Sequence, residues 1–202
     1  MMKRYLIPIW LILIILLDSC LGAGVGDVSD ELGAGYIYLA EGSCSRISPN
    51  FIFKDGIYPN IKNYSFDENF IIVEQTPSFK NINSYVVEDL RGKYGFLLYM
   101  KDSIKITKDV EKFMKSKIWT DSILHKEISR EVLPGNNVRS FDTLGEIASK
   151  IIKEETYFKE MFSRKENYYI IDKQKQEVYG PFTIEKYRIK RKELKVSEIL
   201  VF

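Results

Sequence analysis

Few residues in this chain can do nucleophilic, metal or acid–base chemistry, and they are scattered. Among 202 residues stand two cysteines, Cys20 and Cys44, and one histidine, His125. A single histidine rules out a multi-histidine metal site, in which several imidazoles converge on one ion. It leaves one candidate for a Ser-His or Cys-His pair. His125 is flanked by Leu124 and Lys126 in a helix-like stretch and reads as a surface or core-edge histidine. The acidic pairs Asp67-Glu68 and Glu154-Glu155 are adjacent in the chain, and neighbours on a strand point to opposite faces. A glycosidase-type pair needs convergent carboxylates, which adjacency does not supply. The Gly-rich LGAGVGD after Cys20 lacks the preceding strand of a phosphate-binding loop. No catalytic residue, cofactor or metal is therefore expected from these patterns. Cys20 is the exception, because of what precedes it.

Met1-Met2-Lys3-Arg4 is a short basic head, and YLIPIWLILIILL then runs from Tyr5 to Leu17 without a charge. This is the layout of an export signal. As a helix it would rise about 20 Å, too little for a hydrocarbon core of roughly 30 Å. Leu16-Leu17-Asp18-Ser19-Cys20 follows and resembles the lipobox read by the lipoprotein signal peptidase: an aliphatic residue three before the cysteine, a small one directly before it, then the thiol. That resemblance implies a diacylglyceryl group on Cys20 and cleavage before it, making residues 1–19 a lipoprotein signal peptide. Asp18 departs from the pattern, which usually has a small or aliphatic residue there. Two alternatives stand beside lipidation: cleavage by the ordinary signal peptidase after Leu21-Gly22-Ala23, or an uncleaved anchor.

Loss of residues 1–19 removes Lys3, Arg4 and Asp18 and leaves the chain near neutral, so no strong field exists to steer nucleic acid. With Cys20 lipidated, Cys44 stands alone and a disulfide framework is excluded; with cleavage elsewhere, a Cys20–Cys44 bridge remains open. Cys44 lies in an alternating segment without a partner base and reads as a buried or edge-strand thiol. Residues 20–33 read as a flexible Gly-rich tether, since side-chain-poor sequence buries little apolar surface. Residues 34–202, at 45% hydrophobic and 29% charged for the whole chain, suit one globular domain.

Within it, short Tyr-, Phe-, Ile- and Val-rich runs bounded by Gly, Pro, Asn and Asp carry the strand signature. Strands are expected at residues 36–40, 43–47, 51–54, 61–66, 70–74, 84–89 and 94–101, with a tight turn at Asp55-Gly56. The period changes near Thr107, where helices are expected at 107–117, 119–132 and from about 140 to 162, the last with Thr143 and Glu146 as a capping box. Its apolar stripe, Leu144, Ile147, Ala148, Ile151, Ile152, Phe158, Met161 and Phe162, suits a core face. A hairpin follows at 167–179, and Gly180-Pro181-Phe182-Thr183 leads into a helix, with Thr183 as N-cap and Phe182 placed to pack on Tyr187. The expected fold is α+β: an antiparallel β-meander or small barrel, a helical middle segment inserted at about 105–165, and a C-terminal β-hairpin plus helix.

YYIIDKQKQEVYGPFTIEKYRIKRKEL, together with NYSFDENFIIVEQ and LLDSC, resembles a family of uncharacterised bacterial lipoproteins. In that family a strand set ends in a similar Phe-Ile-Ile strand, and a hairpin, a Gly-Pro turn and a Lys/Glu-rich helix close the chain. The resemblance implies a lipid-anchored protein on the non-cytoplasmic side of the cell membrane or outer membrane. It brings no activity, and no functional residues can be carried over.

The basic run Lys186, Arg188, Lys190, Arg191, Lys192 and Lys195 reads as a solvated helix face interleaved with Glu185 and Glu193; the competing reading is a headgroup-binding surface. Two functions are expected to compete. One is a membrane-tethered binding module whose Tyr-rich strand surfaces hold an envelope protein or glycan. The other is an envelope hydrolase with carboxylates assembled only in the fold. Nucleic acid is not an expected partner.

Overall fold

A computed structural model of the protein describes residues 28–41, 44–50, 54–100, 106–116, 122 and 141–202. Cys20 and the leader lie outside the described residues, as do residues 51–53 of the expected third strand. So does nearly all of the helix expected at 119–132, His125 included.

The chain begins with a three-stranded antiparallel meander, β1 (Val28–Gly33), β2 (Tyr36–Glu41) and β3 (Cys44–Pro49). The β1–β2 turn places Gly33, Ala34 and Gly35 at positive φ, a backbone region that glycine enters without a Cβ clash. The tether expected over residues 20–33 thus gives way to strand in its last six residues. Leu32 decides this: it is fully buried, and burying a side chain of that size contributes roughly 1.5–3 kcal/mol.

The second sheet has the order β4 (Ile61–Phe66), β5 (Phe70–Gln75), β6 (Asn167–Asp172), β7 (Glu177–Phe182), antiparallel throughout. The first hairpin and the last are therefore one sheet, and the whole helical segment is threaded between its central strands. Both sheets are open, so the meander is formed and the small barrel is not. Asp67 Oδ1 accepts the Asn69 and Phe70 N–H groups in the β4–β5 turn, which gives this carboxylate a structural task.

β5 and β6 are apolar on both faces because each is covered twice. Ile71, Val73, Tyr169 and Ile171 pack against Leu32, Tyr36, Ile47 and Ile57 of the first sheet and the loop after it. Ile72 and Ile170 meet Tyr187, Val196 and Leu200 on the other side. Tyr187 belongs to α5 (Ile184–Glu193), which Thr183 caps by accepting the Lys186 N–H; Phe182 packs into the same cluster.

Residues 84–89 and 94–101, expected as strands, form instead one 22-residue helix, α1 (Phe79–Met100). Ile82, Val86, Leu90, Tyr94 and Leu97 are buried along it at spacings of three and four, one helical face. This periodicity overrides the local β-propensity of Val86-Val87 and the presence of Gly92, whose cost inside a helix is only about 1 kcal/mol. The helical segment accordingly starts at Phe79, not near residue 105. α2 (Lys108–Met114) follows, capped by the Thr107 hydroxyl.

The helix expected to run unbroken to residue 162 is two: α3 (Phe141–Glu154) and α4 (Thr156–Phe162), separated by an extended Glu155. Thr143 lies inside the first turn of α3 rather than flanking it. α1, α3 and α4 share a core through Val86, Leu90, Ala148, Ile152, Phe158 and Met161. Among the described residues no helix is long and apolar enough to cross a membrane.

Candidate aromatic cleft

Tyr85, Asp89 and Lys93 stand four residues apart on α1, a spacing that aligns side chains along one stripe of a helix. That stripe is one wall of a cleft of about 530 Å³, within the range typical of small-ligand sites. Val86 and Leu90 deepen the same wall. Ser48, Pro49 and the 54–58 segment form the opposite side, and Phe113, Ile151, Glu155, Tyr157, Phe158, Val178 and Gly180 complete it. α4, which begins after the break at Glu155, supplies Tyr157 and Phe158 to the lining.

The segment bearing Tyr58 is held by backbone pairing. Ile57 N donates to Ile47 O at 2.8 Å, and Ile47 N donates back at 3.2 Å. Gly56 permits this approach, since a Cβ there would lie 2.4 Å from Ile47 O. On the far side Gly180, at φ +133°, lies so close to Tyr169 that a Cβ would fall 2.6 Å from its ring. Both glycines are thus required by close backbone approach.

The lining is aromatic with a few directed polar groups. Tyr58 meets Tyr85 edge-on at 5.5 Å between ring centres and Phe158 at 5.2 Å. Arg46 lies 4.7 Å over the Tyr85 ring, and the Tyr85 hydroxyl and Ser48 Oγ are 3.1 Å apart. Burial, with nearby Asp89, Tyr157, Tyr85 and Asp55, pushes the Tyr58 phenol well above its usual range. Burial does the same for Tyr157. Both phenols therefore stay protonated at neutral pH and remain hydrogen-bond donors.

Asp89 is the lining carboxylate withdrawn from water. Its carboxyl is pushed up by burial; Lys93, 2.9 Å away, pulls it partly back, and Asp55 pushes it further up. Asp55 and Glu155 are exposed. The cleft thus offers aromatic faces, phenol donors and one compensated ion pair, an arrangement suited to holding an amphipathic group.

Other residues singled out in the sequence fall elsewhere. Cys44 is a half-buried free thiol at the start of β3, an edge strand. The Tyr-rich strand surfaces are used internally: Tyr38 stacks on Tyr64 at 4.4 Å, and Tyr64 donates to Asp30. The aromatic groups of the cleft come instead from a loop and three helices. Among the described residues no group of histidine, cysteine and carboxylate side chains is placed to hold a metal ion.

The segment from α3 to the tail also matches a known family. Residues 147–202 fit the model of DUF3997, a protein of unknown function. The DUF3997 match takes in YYIIDKQKQEVYGPFTIEKYRIKRKEL but not NYSFDENFIIVEQ, and it covers Ile151, Glu155, Tyr157, Phe158, Val178 and Gly180 of the cleft. No curated protein and no solved structure matches the chain.

Proposed function

We propose that the chain is an exported, lipid-anchored binding module of the cell envelope, and that the aromatic cleft takes up part of an envelope protein or glycan. The basic head, the 13-residue apolar run and the lipobox-like LLDSC support export and acylation at Cys20. On this reading the domain stands on the non-cytoplasmic side of the cell membrane or outer membrane. The short Gly-rich stretch ahead of β1 gives it reach from the lipid.

The cleft itself carries the binding reading. Tyr58, Tyr85 and Tyr157 contribute large apolar surface with a polar tip, and the Asp89–Lys93 pair offers an acceptor and a donor without a net charge to neutralise. A carboxylate-based hydrolase would gain support from two buried carboxylates converging on one point. Here one is half-buried and salt-bridged while the others in the lining are exposed.

Affinity capture from envelope extracts tests this, using a soluble form beginning at Gly22 beside Tyr85→Ala and Tyr157→Ala. A reproducible partner bound by the wild type and lost from both variants is expected. Capture that ignores both substitutions, or turnover of an envelope substrate abolished by Asp89→Asn, contradicts the reading.

A further inference from the structure

Four exposed hydrophobic residues lie on the Lys/Arg-rich helix α5 and in the tail after it, a stretch that also carries several basic residues without an ion pair among the described residues. Ile189 is 60% exposed, Ile199 88%, Val201 66% and Phe202 46%. Isolated exposed aliphatics are ordinary; a cluster of them is not.

The tail after α5 is ordered by what it buries. Val196 and Leu200 point into the cluster around Tyr187, while Ile199 and Val201 point outward. Arg191 fixes this arrangement, since its guanidinium donates to the carbonyls of Ser197 and Leu200. On the helix Arg188 stands one turn from both Arg191 and Lys192. The tail that bears Ile199 and Val201 is thus held at Arg191, one turn along the helix from Arg188.

Those cations are available. Lys190 is engaged by Glu193 and the Tyr179 ring, and Arg191 by the tail. Lys186, Arg188, Lys192 and Lys195 are exposed and form no ion pair among the described residues. They outnumber the exposed acids beside them, Glu185 and Glu198.

We propose that the Arg188–Lys192 flank of α5, with the outward side of the tail, is a docking surface for anionic phospholipid membranes. Cationic side chains bind the headgroups, and Ile199 and Val201 enter the interface, the combination that characterises helices lying on a membrane. A protein partner would need an acidic apolar groove of matching shape, whereas an anionic bilayer supplies negative charge and an apolar layer together. The surface acts independently of the acyl group on Cys20, so its failure would leave the proposed anchor untouched.

Vesicle co-sedimentation tests it with the unlipidated chain from Cys20 onward. Vesicles of phosphatidylglycerol mixed with phosphatidylcholine are compared with phosphatidylcholine alone. Binding to the anionic vesicles only, weakening with salt, is expected. Arg188→Glu with Lys192→Glu should reduce it at least tenfold, and Ile199→Ser with Val201→Ser several-fold, all with unchanged far-UV circular dichroism. Absence of binding to anionic vesicles at low salt overturns the proposal. So does binding that both double variants retain in full.

Discussion

The phenol of Tyr169 donates a hydrogen bond to Oε1 of Gln75 at 2.8 Å, and both residues are fully buried where the second sheet meets the first. Gln75 passes the connection on, its Nε2 donating to the Tyr58 carbonyl at 2.8 Å. One amide thus ties β6 to the loop that carries a wall of the cleft. Gln75→Leu removes both partners at once and leaves a buried hydroxyl and carbonyl short of bonds. A loss of about 1–3 kcal/mol is expected, read as a lower urea midpoint at unchanged slope. An unaltered midpoint would show that the amide is not the tie.

Tyr36 presents the opposite case. Its ring is buried and its hydroxyl has no hydrogen-bond partner among the described residues. Burial, with Asp55 and Asp109 nearby, raises the phenol to about 12. Removing an unsatisfied polar atom from such a site costs nothing and relieves its desolvation. Tyr36→Phe should therefore be neutral or stabilising by up to about 1 kcal/mol, measured by urea denaturation. A clear destabilisation would refute this account of the hydroxyl.

Two carboxylates set opposite slopes of stability against pH. Burial works to raise Asp172, but the Gln174 and Lys175 N–H groups and the Lys175 ammonium at 3.2 Å outweigh it and hold the carboxyl below its usual value. A depressed carboxylate stabilises the fold above the ordinary aspartate value and loses that contribution as pH falls through the lowered one. Asp89 is raised, mainly by burial. The folded state then keeps its proton longer than the unfolded chain, and stability falls as pH climbs from the ordinary value through the raised one. Asp172→Asn should flatten the acid limb of a stability profile, and Asp89→Asn should remove the decline above it. Profiles superimposable with wild type would contradict both assignments.

Cys44 reports on Cys20. If the latter carries lipid, thiol titration of the denatured purified protein should find one reactive group per chain, and Cys44→Ser should find none. A count of zero in the unreduced wild type that rises to two after reduction would instead indicate a Cys20–Cys44 bridge.

How legible the molecule was in its sequence depended on which period dominated each stretch. β4, β5 and the closing hairpin were readable because apolar runs such as FIIV and YYII adjoin strong turn residues, Asp67-Glu68-Asn69 before the first and Lys173 to Gln176 after the second. α5 was readable from Thr183, whose side chain could only cap. α1 was not: Val86-Val87, Tyr94 and Gly92 are locally strand-like or breaking, and the helical spacing from Ile82 to Leu97 emerges only over the full length. That misreading hid the site as well. Tyr85, Asp89 and Lys93 become neighbours only on a helix; on a strand Tyr85 and Asp89 would share a face but stand about 13 Å apart. The facing residues, Tyr58 and Tyr157, come from distant positions that only the tertiary fold unites. Glu155 gave no signal of the break before α4, since no proline or glycine marks it.

The proposed anchor at Cys20 would set where the cleft and the basic tail operate, so it bears most weight. The direct measurement is metabolic labelling with a tagged palmitate, comparing wild type with Cys20→Ala while following export of both. The account predicts labelled, membrane-associated wild type and an unlabelled variant that is still exported. An exported wild type that takes up no label would contradict it.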